Sequence, residues 1–142
     1  MPLDRRPARI LAMQALCQWD VQKDASRERL YAFLQEYAPQ PTDFGYAAEL
    51  VEGFWKRQAA IDHDLAGAAA ARWDLERVSP VERNVMRVAL VEMTGGRVPP
   101  KAALDEAIDI AREFGGADSP RFVNGLLDKL YKAAMPEGAG ET

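Results

Sequence analysis

Three groups of side chains in this 142-residue chain have the types and spacing to do chemistry. Arg5, Arg6 and Arg9 cluster near the N-terminus. On a helix, Arg6 and Arg9 are i, i+3 neighbours that present adjacent guanidinium groups, a match for a phosphate chain. Taken alone, such a trio is more often simply solvated. Asp118, Ser119, Arg121 and Phe122 surround a helix start, where backbone N–H groups can meet a phosphate and an aromatic ring can stack on a splayed base. The plainer alternative has Ser119 or Asp118 capping the helix and Phe122 in the core. Glu76 and Glu82 stand on an acidic central stretch that suits a basic protein partner, although acids are expected near helix starts in any case.

Other chemistry is poorly supplied. Cys17 is the only cysteine and His63 the only histidine, so neither an intrachain disulfide nor a cysteine/histidine zinc set can be assembled, and a reducing, cytoplasmic setting is expected. Asp62 and Asp64 flank His63, but adjacent helix positions point to different faces, so a solvated surface outweighs a metal site. The pairs Asp105/Glu106 and Asp109/Glu113 read as the polar side of an amphipathic helix. There is no nucleophile elbow, Walker loop or dinucleotide fingerprint. The expectation is a protein that is not an enzyme and takes no metal or other cofactor. With no signal-peptide pattern and no run of 18 apolar residues, secretion and membrane spanning are not expected.

The elements that must position these residues read as helices. The chain is 48% hydrophobic and 28% charged, as for one compact domain, and its 24 Ala and 13 Leu outweigh 16 β-branched residues. An all-α fold follows. Apolar spacing predicts a first helix over Pro7 to Val21 and a second over Ser26 to Ala38, stopped by Pro39 and Pro41. A third is capped by Thr42 or Asp43 and breaks near Ala60 to Asp62. Ser79, Pro80 and Glu82 form a capping box for a helix closed by Gly95 and Gly96, whose buried face is Val81, Val85, Met86, Val88, Ala89 and Met93. Another follows Pro99 and Pro100 and ends at Gly115 and Gly116. Ser119 and Pro120 repeat the cap-plus-proline start for the last, in which Gly125 reads as a close helix crossing. The sum is about seven helices in one domain over residues 1–136. An N-terminal group of about three helices spans roughly 1–70, a C-terminal group roughly 71–136, and 137–142 form a disordered tail.

The formal net charge of −4 argues against coating nucleic acid through bulk positive charge. Its distribution matters more. Residues 1–35 sum to +2, residues 36–109 to −5 and residues 110–142 to −1. A mildly basic head and an acidic middle are expected to form two surfaces for partners of opposite charge.

These pieces together resemble the NusB family of transcription antitermination factors. The likeness runs from Arg5, Arg6, Arg9, Gln14, Ala15, Leu16 and Trp19 through LERVSPVERNVMRVALVEM (Leu75 to Met93) and VPPKAALDEAIDIAREFGG (Val98 to Gly116) to DSPRFVNGLLDKL (Asp118 to Leu130). It is densest from 75 to 130, and the Asp-Ser-x-Arg-Phe-Val-Asn-Gly stretch is its most specific part. The resemblance implies an all-helical fold of two three-helix bundles. It also implies a protein that pairs with the ribosomal protein NusE, binds single-stranded boxA RNA and helps RNA polymerase, within an antitermination complex, to transcribe ribosomal RNA operons. Carried over by position, Arg5, Arg6 and Arg9 would contact RNA phosphates, Arg121 and Phe122 with Asp118 would complete the RNA surface, and Glu76 and Glu82 would face NusE. Two departures stand out. Pro7 interrupts the arginine head, and Cys17 stands where relatives often carry an aromatic residue, so RNA affinity is expected to be weak without the partner. Alternatives are an RNA-binding domain acting in ribosomal RNA modification, and a non-catalytic adaptor or homodimer without an RNA role.

Overall fold

The computed structural model describes residues 4–22, 26–69 and 78–134. Among them the chain forms six helices and is all-α: α1 (Arg6–Gln22), α2 (Arg27–Tyr37), α3 (Pro41–Ala68), α4 (Pro80–Gly95), α5 (Pro100–Phe114) and α6 (Ser119–Ala134). Glu76, the expected division near residue 70 and the expected tail at 137–142 lie outside the described residues.

The capping chemistry sets most boundaries. Ser26 accepts from the Arg29 amide at the start of α2, and the Ser79/Glu82 capping box opens α4. Gly96 closes α4 at φ 82°, a left-handed conformation that glycine adopts without a Cβ penalty. The start of α3 differs from expectation. Gln40, with extended backbone, is the cap residue and Pro41 the first helical position, because a residue without an N–H loses nothing there. The break in α3 falls at Arg57 (φ −121°, ψ 21°) rather than at 60–62. No local breaker marks it; it comes one turn after a tight contact of α3 with α4.

That contact is made by Gly53, where a Cβ would stand 2.7 Å from Val91 Cγ1. Gly125, expected to mark a crossing, faces open space instead. One continuous core joins all six helices, with Met13, Leu16, Leu30, Leu34, Phe54 and Leu127 among its fully buried members. The expected apolar stripes overshoot it at helix ends, where Val21 and Tyr37 are exposed.

Helix α4 is the centre of the molecule, packed by α1, α3, α5 and α6. Every residue from 83 to 90 is buried, including Arg83, Asn84 and Arg87. An amphipathic reading finds one apolar face on this helix and misses the polar residues turned inward. Their partners come from α1 and α3. Arg87 makes a two-pronged pair with Asp62 (2.9 and 2.9 Å), reaches Asp20 at 3.1 Å and sits 4.9 Å over the Phe54 ring. Arg83 donates to Asp20 at 2.6 Å and to the Val78 carbonyl at 2.9 Å. Asn84 donates to Asp20 and to the Pro80 carbonyl. Cys17 lies against this cluster and donates to the Pro80 carbonyl (3.4 Å); burial pushes its thiol pKa up, away from the reactive thiolate. The Asp62–His63–Asp64 run is divided accordingly: Asp62 is committed to Arg87, while His63 and Asp64 face solvent.

Candidate nucleic-acid interface

The arginine head is carried by the first turn of α1. Asp4 accepts from the Arg6 amide at 3.0 Å, and the Arg9 amide closes the first turn on the Arg5 carbonyl. The three arginines then part company. Arg5 lays its guanidinium 4.4 Å from the centroid of the Tyr46 ring on α3, a cation–π contact. Arg6 turns to α5, donating to Glu106 at 2.6 and 3.3 Å and to Asp109 at 3.0 Å. Arg9 is only 8% exposed. Its Nε donates to Glu92 on α4 at 2.7 Å and its NH1 to Glu106 at 3.0 Å.

The expected i, i+3 adjacency of Arg6 and Arg9 is real, and its focus is Glu106, which accepts from both. Tyr46 completes the chain by donating to the other oxygen of Glu92. Burial, then the hydrogen bond to Glu92, push the Tyr46 pKa up to about 12. For Arg9, burial works to lower the pKa, but the hydrogen bond and charge of Glu92 more than offset it and the net shift is upward. Arg9 is therefore held as a cation inside the structure rather than offered to solvent.

This changes the meaning of the charge split along the chain. Glu92, Glu106 and Asp109 belong to the acidic middle segment by sequence, yet the fold sets all three on Arg6 and Arg9. The head does not form a separate basic surface. Glu106 and Asp109, read as solvated positions of an amphipathic helix, are its ion-pair partners. No local pattern marks them, since the pairs span about 100 residues of chain.

The second group begins where α5 ends. Gly115 is required there: a Cβ would meet Ser119 Oγ at 2.5 Å and the Ala111 carbonyl at 2.8 Å. Ser119 is 3% exposed and does not cap α6. Its hydroxyl accepts from the Gly116 amide at 3.0 Å and donates to Glu82 at 2.6 Å. The first turn of α6 instead closes through the Phe122 amide on the Asp118 carbonyl. Two residues placed by sequence on different surfaces, Ser119 and Glu82, are thus hydrogen-bonded to each other and tie the starts of α4 and α6 together. Asp118, Arg121 and Phe122 remain on the surface, and Phe122, at 36% exposure, is not core.

Helix α5 links the two groups. Its Glu106 and Asp109 hold the arginine head, and its C-terminal end leads directly into the turn that presents Asp118, Arg121 and Phe122. Between them stands Arg112, exposed and 2.7 Å from Asp109, a cation that the sequence reading passed over. On the far side of the head, Arg97 approaches Tyr46 (5.9 Å to the ring centroid) and pairs with Glu49 at 2.6 Å. Exposed Arg112 near the end of α5 and exposed Arg121 and Phe122 at the start of α6 are the types of group used to hold an unpaired nucleic-acid strand. Among the described residues, no helix is long and apolar enough to cross a membrane.

Known proteins share this architecture. The sequence profile of the NusB family matches residues 6–132. The transcription antitermination protein NusB of Shewanella frigidimarina is 39% identical over 132 residues, spanning 92% of this chain and 97% of its own. The solved structure of T. maritima NusB has a TM-score of 0.83 and 30% identity, with 100% of both chains covered. A solved complex of antitermination factors NusB and NusE with dsRNA contains a chain of the same fold. Its TM-score is 0.79 at 24% identity, and the match covers 91% of this chain and 96% of that one.

Proposed function

The chain belongs to the NusB family, and on that premise we propose that it is an RNA-binding transcription antitermination factor. In this reading it pairs with the ribosomal protein NusE in the cytoplasm and holds boxA-type single-stranded RNA. The complex joins RNA polymerase and keeps transcription of ribosomal RNA operons processive. Membership in this family of non-catalytic RNA-binding adaptors sets the enzyme reading aside.

What supports an RNA surface here is that Arg6 rests on α5 through Glu106 and Asp109, and that the end of α5 leads directly into the turn where Asp118, Arg121 and Phe122 are exposed. Arg5 and Arg6 at one end meet phosphates, and Arg121 and Phe122 at the other hold a base between a cation and an aromatic face, with Asp118 accepting from it. Arg9 and Ser119 serve from inside: Arg9 fixes Glu106, on which Arg6 rests, and Ser119 fixes the turn before Phe122. Glu82 accepts from Ser79 and Ser119, neutral donors that leave its negative charge available to a basic partner, and it is read as facing NusE, as Glu76 is by family resemblance alone. The matched complex of NusB and NusE with dsRNA supports NusE and RNA as the kinds of partner. Two weak surfaces on two proteins, joined, raise each other's effective concentration on one RNA.

A titration of labelled boxA RNA with this protein alone and then with its NusE tests the reading. RNA affinity should rise at least about tenfold when NusE is added. No binding in either arm, or an unchanged dissociation constant, contradicts it.

A further inference from the structure

Arg6, one of the two arginines read as meeting phosphate, already holds two anions. Arg6 NH2 donates to Glu106 Oε2 at 2.6 Å and to Asp109 Oδ2 at 3.0 Å, and Arg6 Nε donates to Glu106 Oε1 at 3.3 Å. A guanidinium fork accepts carboxylate and phosphate with the same geometry, so these contacts occupy the positions that phosphate oxygens would take. The hydrogen bond to Glu106 leads the causes that push the Arg6 pKa further up, outweighing burial.

The two carboxylates are not equivalent. Glu106 has a side chain 25% exposed and is also held by Arg9 at 3.0 Å, which roots it in the buried chain leading to Glu92 and Tyr46. Asp109 is 42% exposed and has a second partner, Arg112, at 2.7 Å. If Arg6 leaves Asp109, the carboxylate keeps a cation and no buried charge is stranded. If Arg6 leaves Glu106, the inner network loses a member. The pair can therefore open on its outer side while the inner side holds.

We propose that Asp109 sets the RNA affinity of this chain by competing with RNA phosphate for Arg6, while Glu106 keeps the guanidinium in place during the exchange. This rests on the RNA reading above. Exposed ion pairs are weak and screened by salt, so a polyanion that brings several phosphates at once displaces Asp109 where a single small anion does not. Asp109 thereby makes the head unresponsive to stray anions and selective for a chain of phosphates.

The test is Asp109→Asn, which keeps the shape and removes the charge. Binding of labelled boxA RNA is measured by anisotropy with NusE present. Removing any acid near RNA strengthens binding to some degree, so Asp105→Asn is the control: Asp105 lies on the same helix and pairs with Lys101 at 2.9 Å. The inference expects Asp109→Asn to bind about three- to tenfold more tightly, Asp105→Asn to change by less than about twofold, and both to keep the wild-type melting temperature. In an Arg6→Ala background the gain from Asp109→Asn should vanish, because nothing is left to compete for. The inference is overturned if Asp109→Asn matches the wild type or the Asp105 control, or if its gain survives loss of Arg6. Wild-type binding with no gain refutes this inference alone, whereas absence of RNA binding by every form refutes the RNA reading and the inference with it.

Discussion

Two arginine–carboxylate clusters in this molecule use the same side-chain chemistry to different ends. Around α4, Arg83 and Arg87 meet Asp20 and Asp62, and Arg87 is 3% exposed. At the head of α1, Arg6 and Arg9 meet Glu92, Glu106 and Asp109, and the cluster runs from the buried Arg9–Glu92 pair to the half-exposed Arg6–Asp109 pair. In the first the arginine side chains are almost fully enclosed, 10% exposed for Arg83 and 4% for Arg87, and only Asp20 and Asp62 reach solvent in part. The second has an outer edge. A buried ion pair is costly to break, whereas an exposed one exchanges readily with a ligand. The difference separates an arginine enclosed by the fold from one with an outer, exchangeable partner, and residue type alone does not reveal which is which.

The largest effect should come from the closed cluster. Arg87→Ala leaves Asp20 and Asp62 without their shared cation and should destabilise the protein by about 3–5 kcal/mol, lowering the melting temperature on the order of 10 °C. The RNA affinity of the folded protein should stay within about twofold; a larger loss would erase the distinction between the clusters.

The inner end of the head should respond to alkali. Because the Tyr46 pKa is raised to about 12 in the folded protein, above its ordinary value of 10, the stability tied to its protonated hydroxyl is fully present below pH 10. It is lost as pH rises through the folded value. The difference in melting temperature between wild type and Tyr46→Phe should therefore shrink between pH 10 and about 12. A constant difference would remove Tyr46 from the head's support.

A smaller contrast lies within the Asp118–Phe122 segment. Ser119→Ala removes the bonds to Gly116 and Glu82 and should cost about 1–2 kcal/mol in a denaturant titration. Exposed Arg121→Ala should cost less than about 0.5 kcal/mol. Arg121→Ala should nevertheless weaken RNA binding more than Ser119→Ala, which acts on the RNA surface only through the turn it fixes; a larger loss for Ser119→Ala would take Arg121 out of that surface.

What was legible from the sequence divides along the same line as the two clusters. Helix starts and stops were readable where capping residues act within a few positions, as at Ser26, Ser79 and Gly96. The break at Arg57 has no local breaker to announce it, and the close contact of Gly53 with Val91, one turn earlier, joins positions 38 residues apart in sequence. The candidate residues are legible by type and by family resemblance; the structure leaves Arg121 and Phe122 exposed and Arg6 half-buried against two carboxylates. Their partners were not found. Glu106 sits on Arg6 only after α1 and α5 have packed, and Ser119 meets Glu82 only after α4 and α6 have. Charge summed along the chain therefore separated a basic head from an acidic middle that the fold brings into contact.

The most direct test of the account is the salt dependence of boxA RNA binding, with NusE present, for the wild type and for an Arg5→Ala, Arg6→Ala double variant. If these two arginines contact phosphates, the slope of log affinity against log salt should fall by about two, with the melting temperature lowered by no more than a few degrees. An unchanged slope would show that the head of α1, despite its arginines, does not touch the RNA.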